Sequence, residues 1–473
     1  MLLLFFTGSV LLAVLAYFIK KKIASHWIVI IHALMICSLT IHEFVLPGQV
    51  QLVFFQSDYL SHIFLGLLSI ISLMAAFHYI GYARTGEIPV KYVNVHNFGT
   101  ILFTTAIVGV LMANHFGMLW ALMEATTLTA ALLIQHDRNE ASMEATWKYL
   151  FVCSVAIAIA FAGVLFLGFA TSDADVEGFS FEAIRNSAHL LDSNWTKACF
   201  LFIIVGFSVK MGLVPMFNVD IDAKDASPSP VGALLASVVL NAGFVSIFRF
   251  YEAFSGTEIH SWMNNVITVT AMLSLLFSTV YILKVRNLKR LMAYSSMEHA
   301  AVAMLAFASG GIGYFAAIFH LSLHALIKST MFFQVGQLHN IFGSKLDYNI
   351  RDYLRINPIG ALVLLACLLS ILALPPSGMF ISEVMMLEAI FVGQPWWLML
   401  LTFVLILFII YGMSKRILAI IYEKSPSNGA QIQNIRRWES LLQIGVILIV
   451  FYIGFVKPHF IVSIIQSAVE SLP

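Results

Sequence analysis

Charge is what this sequence has least of. Only 11% of its 473 residues are Asp, Glu, Lys or Arg, where a soluble domain carries about 25%. The 26 basic and 25 acidic residues leave a formal net charge of +1. No long-range field of one sign is available to steer a nucleic acid or another charged macromolecule. Cysteine is almost as scarce. Cys37, Cys153, Cys199 and Cys367 each sit in an apolar run, far apart, with no CxxC pair and no Cys/His spacing suited to zinc or iron–sulfur. They read as small buried hydrophobes. A Walker A loop, a dinucleotide glycine fingerprint and a GxSxG elbow are also missing. A soluble enzyme, a disordered chain and a nucleic-acid binder are excluded. No cofactor, metal or catalytic residue is expected on this chain, so any redox centre coupled to it belongs on another subunit.

What the sequence has is apolar length. Hydrophobic residues make up 60% and the mean hydropathy is +0.90. At about 20 residues per membrane crossing, this suffices for about fourteen helices. The expected fold is all-α and polytopic, with spans near 2–19, 26–46, 59–82, 98–113, 115–135, 146–170, 198–216, 231–255, 264–284, 291–308, 312–340, 358–392, 396–421 and 438–456. The stretch 459–471 is too short to cross and is expected along the interface. The first span has no basic segment before it, and Lys20, Lys21 and Lys22 follow it. It therefore reads as a retained helix and not as a signal peptide. With both termini placed outside, twenty Lys and Arg fall on inner loops and three (Arg185, Lys197 and Lys457) on outer ones. That asymmetry fits the positive-inside rule and an inner-membrane protein.

Prolines suggest an internal plan. Pro215 interrupts span 7, and Pro375–Pro376 interrupts span 12. Proline frees a backbone carbonyl, which a bilayer tolerates only where protein or water re-satisfies it. Breaks five spans apart suggest two inverted five-helix units, 98–255 and 264–421. A three-helix segment (1–97) precedes them, and a helix with a tail (438–473) follows. Two ordinary proline kinks would look the same at this level.

Ionisable groups inside spans cost about 2.5–3.5 kcal/mol each on insertion scales, so each marks a functional candidate. Glu124 lies mid-span 5, Lys210 in span 7 before its break, and Glu383 just past the break in span 12. In span 11, His320, His324 and Lys328 follow at intervals of four. Each step of four turns the side chain by about 40° and advances it by about 6 Å, so the three form one polar ladder. Groups that both accept and donate protons suit proton hopping. A histidine satisfied structurally, or a zinc site lacking a third ligand, are the blander readings. Glu124 and Lys210 are expected to pair, either as a switch that holds or releases the lysine proton or as a static ion pair.

Other groups read as ordinary. Arg249 and Glu252 are expected to snorkel or to pair one turn apart. The stretch NVDIDAKDASPSP is expected as a solvated inner loop, since it lacks the glycine and distal glutamate of a calcium loop. Lys148 reads as an anchor at the inner end of span 6.

Seven motifs come in one order: MEATTLTAALL, SMEATWKYL, GFSVKMGLVPM, SPSPVGALLASVVLN, LKRLMAYSSMEH, HLSLHALIKSTMFF and LPPSGMFISE. Over roughly 60–420 the chain resembles the antiporter-like, proton-translocating membrane subunits of respiratory complex I and related complexes. Within that family it most resembles component F of hydrogenase-4-type membrane-bound hydrogenases. The resemblance implies fourteen helices in two inverted five-helix repeats, with helices 7 and 12 broken. It implies a proton relay of Glu124, Lys210, the helix 8 position, His320, His324, Lys328 and Glu383. Glu144 and Lys289, which lie in two of the motifs, are secondary candidates.

Two departures stand out. The helix 8 position is Asn241, which orders water but carries no proton at neutral pH. After span 7 relatives read His-Trp-Leu-Pro-Asp-Ala-His, and this chain reads FNVDIDAKD. The usual loop histidines are missing, which leaves open the inner proton entry or the partner contact there. The function implied is an ion-pumping subunit of a hydrogenase-like or NADH-quinone-oxidoreductase-like complex. Its partners would be other membrane subunits and hydrogenase or iron–sulfur subunits at the inner face. A membrane subunit of a multi-subunit sodium/proton antiporter, or of an inorganic-carbon uptake complex with a soluble partner, is the rival. A scaffold that moves no ions is the third reading.

Overall fold

The computed structural model describes residues 1–46, 52–84, 88–172, 178–424 and 437–473. Twenty α-helices follow in chain order. The first six are α1 (Leu2–Phe18), α2 (Lys22–Val45), α3 (Tyr59–Arg84), α4 (Val90–Met112), α5 (Phe116–Ile134) and α6 (Glu140–Ala170). Next come the short α7 (Phe181–Asn186), then α8 (Ser193–Met211), α9 (Asn218–Ala226), α10 (Ser229–Leu234) and α11 (Leu240–Phe254). The second half holds α12 (His260–Lys284), α13 (Leu288–Ala308), α14 (Ile312–Phe342), α15 (Tyr353–Ile356) and α16 (Pro358–Ile371). The chain ends in α17 (Gly378–Gly393), α18 (Trp396–Tyr422), α19 (Arg437–Val456) and α20 (His459–Val469). Among the described residues there are no β-strands, only isolated bridges. Among the described residues eleven helices are long and apolar enough to cross a membrane, counting the continuous run Ser229–Phe254 (α10 through α11) as one, and α1, α16 and α20 are shorter apolar helices. The protein is an all-α polytopic membrane protein.

Local chemistry sets the helix starts. Asn139 accepts from the Ser142 amide, Asp192 from the amides of Asn194 and Trp195, and Asn287 from those of Lys289 and Arg290. Each satisfies backbone donors that a helix start leaves open. Small residues set the closest packing. A Cβ on Gly206 of α8 would lie 2.6 Å from the Ala156 carbonyl and the Ala160 Cβ of α6. Glycine there lets two backbones approach, which is the main source of helix affinity in lipid.

The two proline breaks share one backbone pattern. After α8, Gly212 has φ 69°, its amide donates to Val209 O, and the Leu213 amide reaches back to Ser208 O. After α16, Ala373 has φ 47°, its amide donates to Ser370 O, and the Leu374 amide reaches back to Leu369 O. In each case a left-handed residue closes the helix and satisfies its last carbonyls. The X–Pro bonds that follow, Val214–Pro215 and Pro375–Pro376, are both cis.

The basic loops gather on one face of the bundle. Asp225 receives Asn287 Nδ2 at 2.9 Å and Arg290 Nε at 2.8 Å, and Lys345 Nζ stands 3.5 Å from its carboxylate. Burial pushes the Asp225 carboxyl up, but Lys345, Arg290 and Asn287 outweigh burial and hold it below the ordinary carboxylate range. Of the basic residues counted for this face, Arg436 lies outside the described residues, as do the side chains of Arg84 and Arg437. On the opposite face Arg249 is held by Asp58, with Glu252 at 3.6 Å. The expected pairing one turn apart is therefore present but secondary to a partner across the fold.

One expectation about the fold fails. The stretch after span 7 is not a solvated loop. Residues 218–226 form α9, and Val219, Asp220, Ile221, Ala223 and Lys224 are buried. The reason is an internal ion pair. Lys224 Nζ lies 2.5 Å from Asp220 Oδ2 one turn back, with both side chains almost wholly enclosed. Pairing at i,i+4 lets two charges enter the interior together.

Candidate functional site

The titratable groups lie on the central helices. On α14, His320, His324 and Lys328 are fully buried, and the imidazole centroids of His320 and His324 stand 6.5 Å apart. This is the ladder that their spacing requires. Lys328 Nζ donates to Ser295 Oγ at 2.9 Å and to Met292 O at 3.3 Å, both on α13. His320 Nδ1 is 2.9 Å from Ser382 Oγ on α17, beside Glu383. Among the described residues neither nitrogen of His324 has a hydrogen-bond partner. A buried polar group without a partner is costly, so this ring marks a place for water or a transient proton donor.

The α13 helix supplies two groups that the sequence reading left out. His299 Nδ1 is 3.1 Å from His320 Nε2, and Glu298 Oε2 is 3.2 Å from His299 Nε2. Both side chains are buried. Their signal was present in the motif LKRLMAYSSMEH. Helical periodicity alone did not point them at α14.

Lys210 is buried, but its partners differ from those expected. Nζ donates to Thr126 Oγ1 at 3.1 Å and Thr127 Oγ1 at 2.7 Å on α5, and stands 5.6 Å from the Tyr149 ring centroid. Glu124, half-buried on α5, accepts from Ser154 Oγ at 2.7 Å, and its Oε2 has no partner among the described residues. No ion pair joins Glu124 to Lys210 among the described residues. Hydroxyls two and three residues past the glutamate occupy the lysine instead. About 100°, just over a quarter of a turn, separates neighbouring helical positions, so the pair expected from sequence is displaced sideways.

Asn241 on α11 is enclosed, and neither amide atom has a partner among the described residues. It follows a π-helical turn, Leu235–Val239. Lys210 packs close by, since a Cβ on Gly243 would lie 3.0 Å from Lys210 Cβ. The Asp220–Lys224 pair fills the ground between Lys210 and α14. Asp220 Oδ2 lies 2.6 Å from where a Gly212 Cβ would stand, two residues past Lys210. A Gly232 Cβ would meet both the Lys224 carbonyl (3.4 Å) and Phe332 (2.9 Å), and Phe332 is one turn past Lys328.

The remaining candidates separate. Glu383 is buried on α17 next to Ser382. Lys289 is buried and donates to Ser227 O at 2.7 Å, at the basic face. Glu144 stands apart from the cluster: 65% exposed, it pairs with Lys148 at 2.5 Å on the surface of α6.

The transmembrane model of the NADH:quinone oxidoreductase/Mrp antiporter family matches residues 113–410. The chain belongs to that family. Every buried group of the cluster falls within the matched segment. A hydrogenase-4 component F homolog from Methylacidiphilum infernorum (isolate V4) is 32% identical over 289 residues, 60% of this chain and 61% of that relative. The match thus spans about three fifths of the relative's length. A chain of the membrane-bound sulfane sulfur reductase, an archaeal respiratory membrane complex, superposes with TM-score 0.86 at 19% identity, covering 100% of this chain and 96% of that one. A chain of the Mrp complex from Dietzia sp. DQ12-45-1b superposes with TM-score 0.86 at 14% identity, covering 99% and 96%. The antiporter-like subunit fold is thereby shared with chains that sit in multi-subunit membrane complexes.

Proposed function

We propose that this antiporter-like subunit translocates protons within a membrane-bound hydrogenase-like or NADH-quinone-oxidoreductase-like complex. The observation that carries the reading is the line of enclosed polar and titratable groups through α8, α9, α11, α13, α14 and α17. Lys210 begins it, the Asp220–Lys224 pair and the unpartnered Asn241 continue it, and Lys328, His324, His299 and His320 lead to Ser382 and Glu383. Lys224 stands where the missing loop histidines left a gap. A charge change beside Glu124 is the input, and Lys210 is the first group to respond. Redox groups belong to partner subunits, and the reading assigns no cofactor to this chain.

The matched breaks after α8 and α16 support two inverted units, 98–255 and 264–421. Adding α1, α13 and the α16–α17 pair to the eleven long apolar helices gives fourteen crossings. The positive-inside rule then puts the Asp225 face on the cytoplasmic side of the inner membrane and both termini outside. The test is proton uptake by vesicles holding the purified complex. Lys210→Met and Glu124→Gln are expected to stop it, and unchanged uptake in both would end the relay reading.

A sodium/proton antiporter or inorganic-carbon uptake subunit is the second reading. It is favoured by α9, whose Asp220–Lys224 pair replaces the usual loop at the face where a different soluble partner would dock. Copurification separates the two. Nickel–iron and iron–sulfur partners support the first, and a zinc-bearing or purely membrane-bound partner supports the second.

A further inference from the structure

A second group of titratable side chains lies outside this line, on α2, α3, α4 and the turn after α5. Tyr79 of α3 stacks on His96 of α4, with ring centroids 3.7 Å apart and planes 10° apart. The Tyr79 hydroxyl is 3.3 Å from Nε2 of His136, which sits in the turn after α5. The His96 and His136 rings meet edge to face at 4.7 Å. His26 of α2 approaches the Tyr79 ring at 5.4 Å, and its Nδ1 is 3.4 Å from Nδ2 of Asn97. All four side chains are buried, and so is Asn97.

The group touches the basic face. His136 adjoins Asp137, which accepts from the Tyr82 hydroxyl at 2.7 Å, and Arg138, whose guanidinium lies 4.0 Å over the Tyr92 ring. At its deep end two enclosed polar atoms, His96 Nδ1 and Asn97 Oδ1, have no hydrogen-bond partner among the described residues. They border a narrow cavity of about 10 Å³ for a water centre, the room of about one water. Pro230, Val231 and Leu234 of α10 form its far wall. The π-helical turn Leu235–Val239 begins there, and Asn241, with both amide atoms unpartnered, comes seven residues after Leu234. A π-helical turn loosens the regular hydrogen-bond ladder and is frequent at functional sites.

We propose that His26, Tyr79, His96 and His136 form a proton-collecting port, which draws protons from the basic face and delivers them beside Asn241. The port rests on the proton-translocating reading and gives it an entry that its main line lacks. Three imidazoles and a phenol, each able to accept one proton while releasing another, pass a proton without net chemistry. The chemistry also selects the ion. An alkali cation seeks several oxygen ligands, and this group offers mainly ring nitrogens and ring faces.

The test uses the complex purified with its native partner subunits and reconstituted in vesicles. Proton uptake is measured across acid to alkaline pH in Tyr79→Phe, His136→Gln and Lys210→Met. Tyr79→Phe keeps the stack on His96 and removes only the hydroxyl. Both port variants are expected to slow uptake about tenfold and to change its pH profile. That loss is below the ~10² of one positioned proton-transfer group, because water bypasses a single member. Wild-type rates at every pH in Tyr79→Phe, with Lys210→Met inactive, would overturn the port and leave the main line standing. Wild-type uptake in Lys210→Met would overturn the main line itself. If His136→Gln fails to assemble, Tyr79→Phe decides alone.

Discussion

His299 Nδ1 lies 3.1 Å from His320 Nε2, joining α13 to α14 inside the bundle. The bond turns a ladder along one helix into a bridge between two, with Glu298 on one side and Ser382 on the other. His299→Phe keeps an aromatic ring and removes both nitrogens. Vesicle proton uptake is expected to fall by about 10²-fold or more, the usual worth of one positioned proton-transfer group. His299→Gln retains a donor and an acceptor and is expected to recover part of the rate. Equal, undiminished rates in both variants would remove His299 from the path.

Asp220 and Lys224 stabilise the protein only as a pair. Removing one partner strands a buried charge, at a cost of about 3–5 kcal/mol. Asp220→Asn and Lys224→Met should each lower the thermal midpoint of the detergent-solubilised complex. The double variant should recover most of that loss, since no lone charge remains. Transport should stay impaired in the double variant, which separates stability from conduction.

Asp225 should contribute to acid sensitivity. Its carboxyl is held below the ordinary range by Lys345, Arg290 and Asn287 acting against burial. A depressed carboxyl contributes stability above its unfolded value, about 3.9 for Asp, and loses it as pH falls through the lower folded value. Unfolding followed against pH should therefore show an acid limb that Asp225→Asn flattens. The variant should be less stable at neutral pH and differ little from wild type at strongly acid pH.

Gly206 has no room for a methyl group. A Cβ there meets the Ala156 carbonyl and the Ala160 Cβ at 2.6 Å, so Gly206→Ala must push α8 off α6. The expected destabilisation is about 1–3 kcal/mol, the usual cost of overpacking, read as a lower thermal midpoint. Because Lys210 is one turn further along α8, proton uptake should fall as well. An unchanged midpoint would show that the two helices separate freely.

Some of this was legible without coordinates. Apolar run lengths determined a polytopic helical protein, because a bilayer admits only segments whose backbone bonds close within themselves. Spacing by four determined that His320, His324 and Lys328 share a face, because helical geometry is local. The prolines marked both breaks for the same reason. Partners across helices were decided by the tertiary structure alone. Lys210 rests on Thr126 and Thr127 and not on Glu124, Glu298 and His299 join α14, and an expected loop folds inward as α9 around Asp220 and Lys224. Such contacts depend on the rotation and depth of each helix against its neighbours. Close packing sets those to within a fraction of a turn, and no periodicity within one segment carries that information.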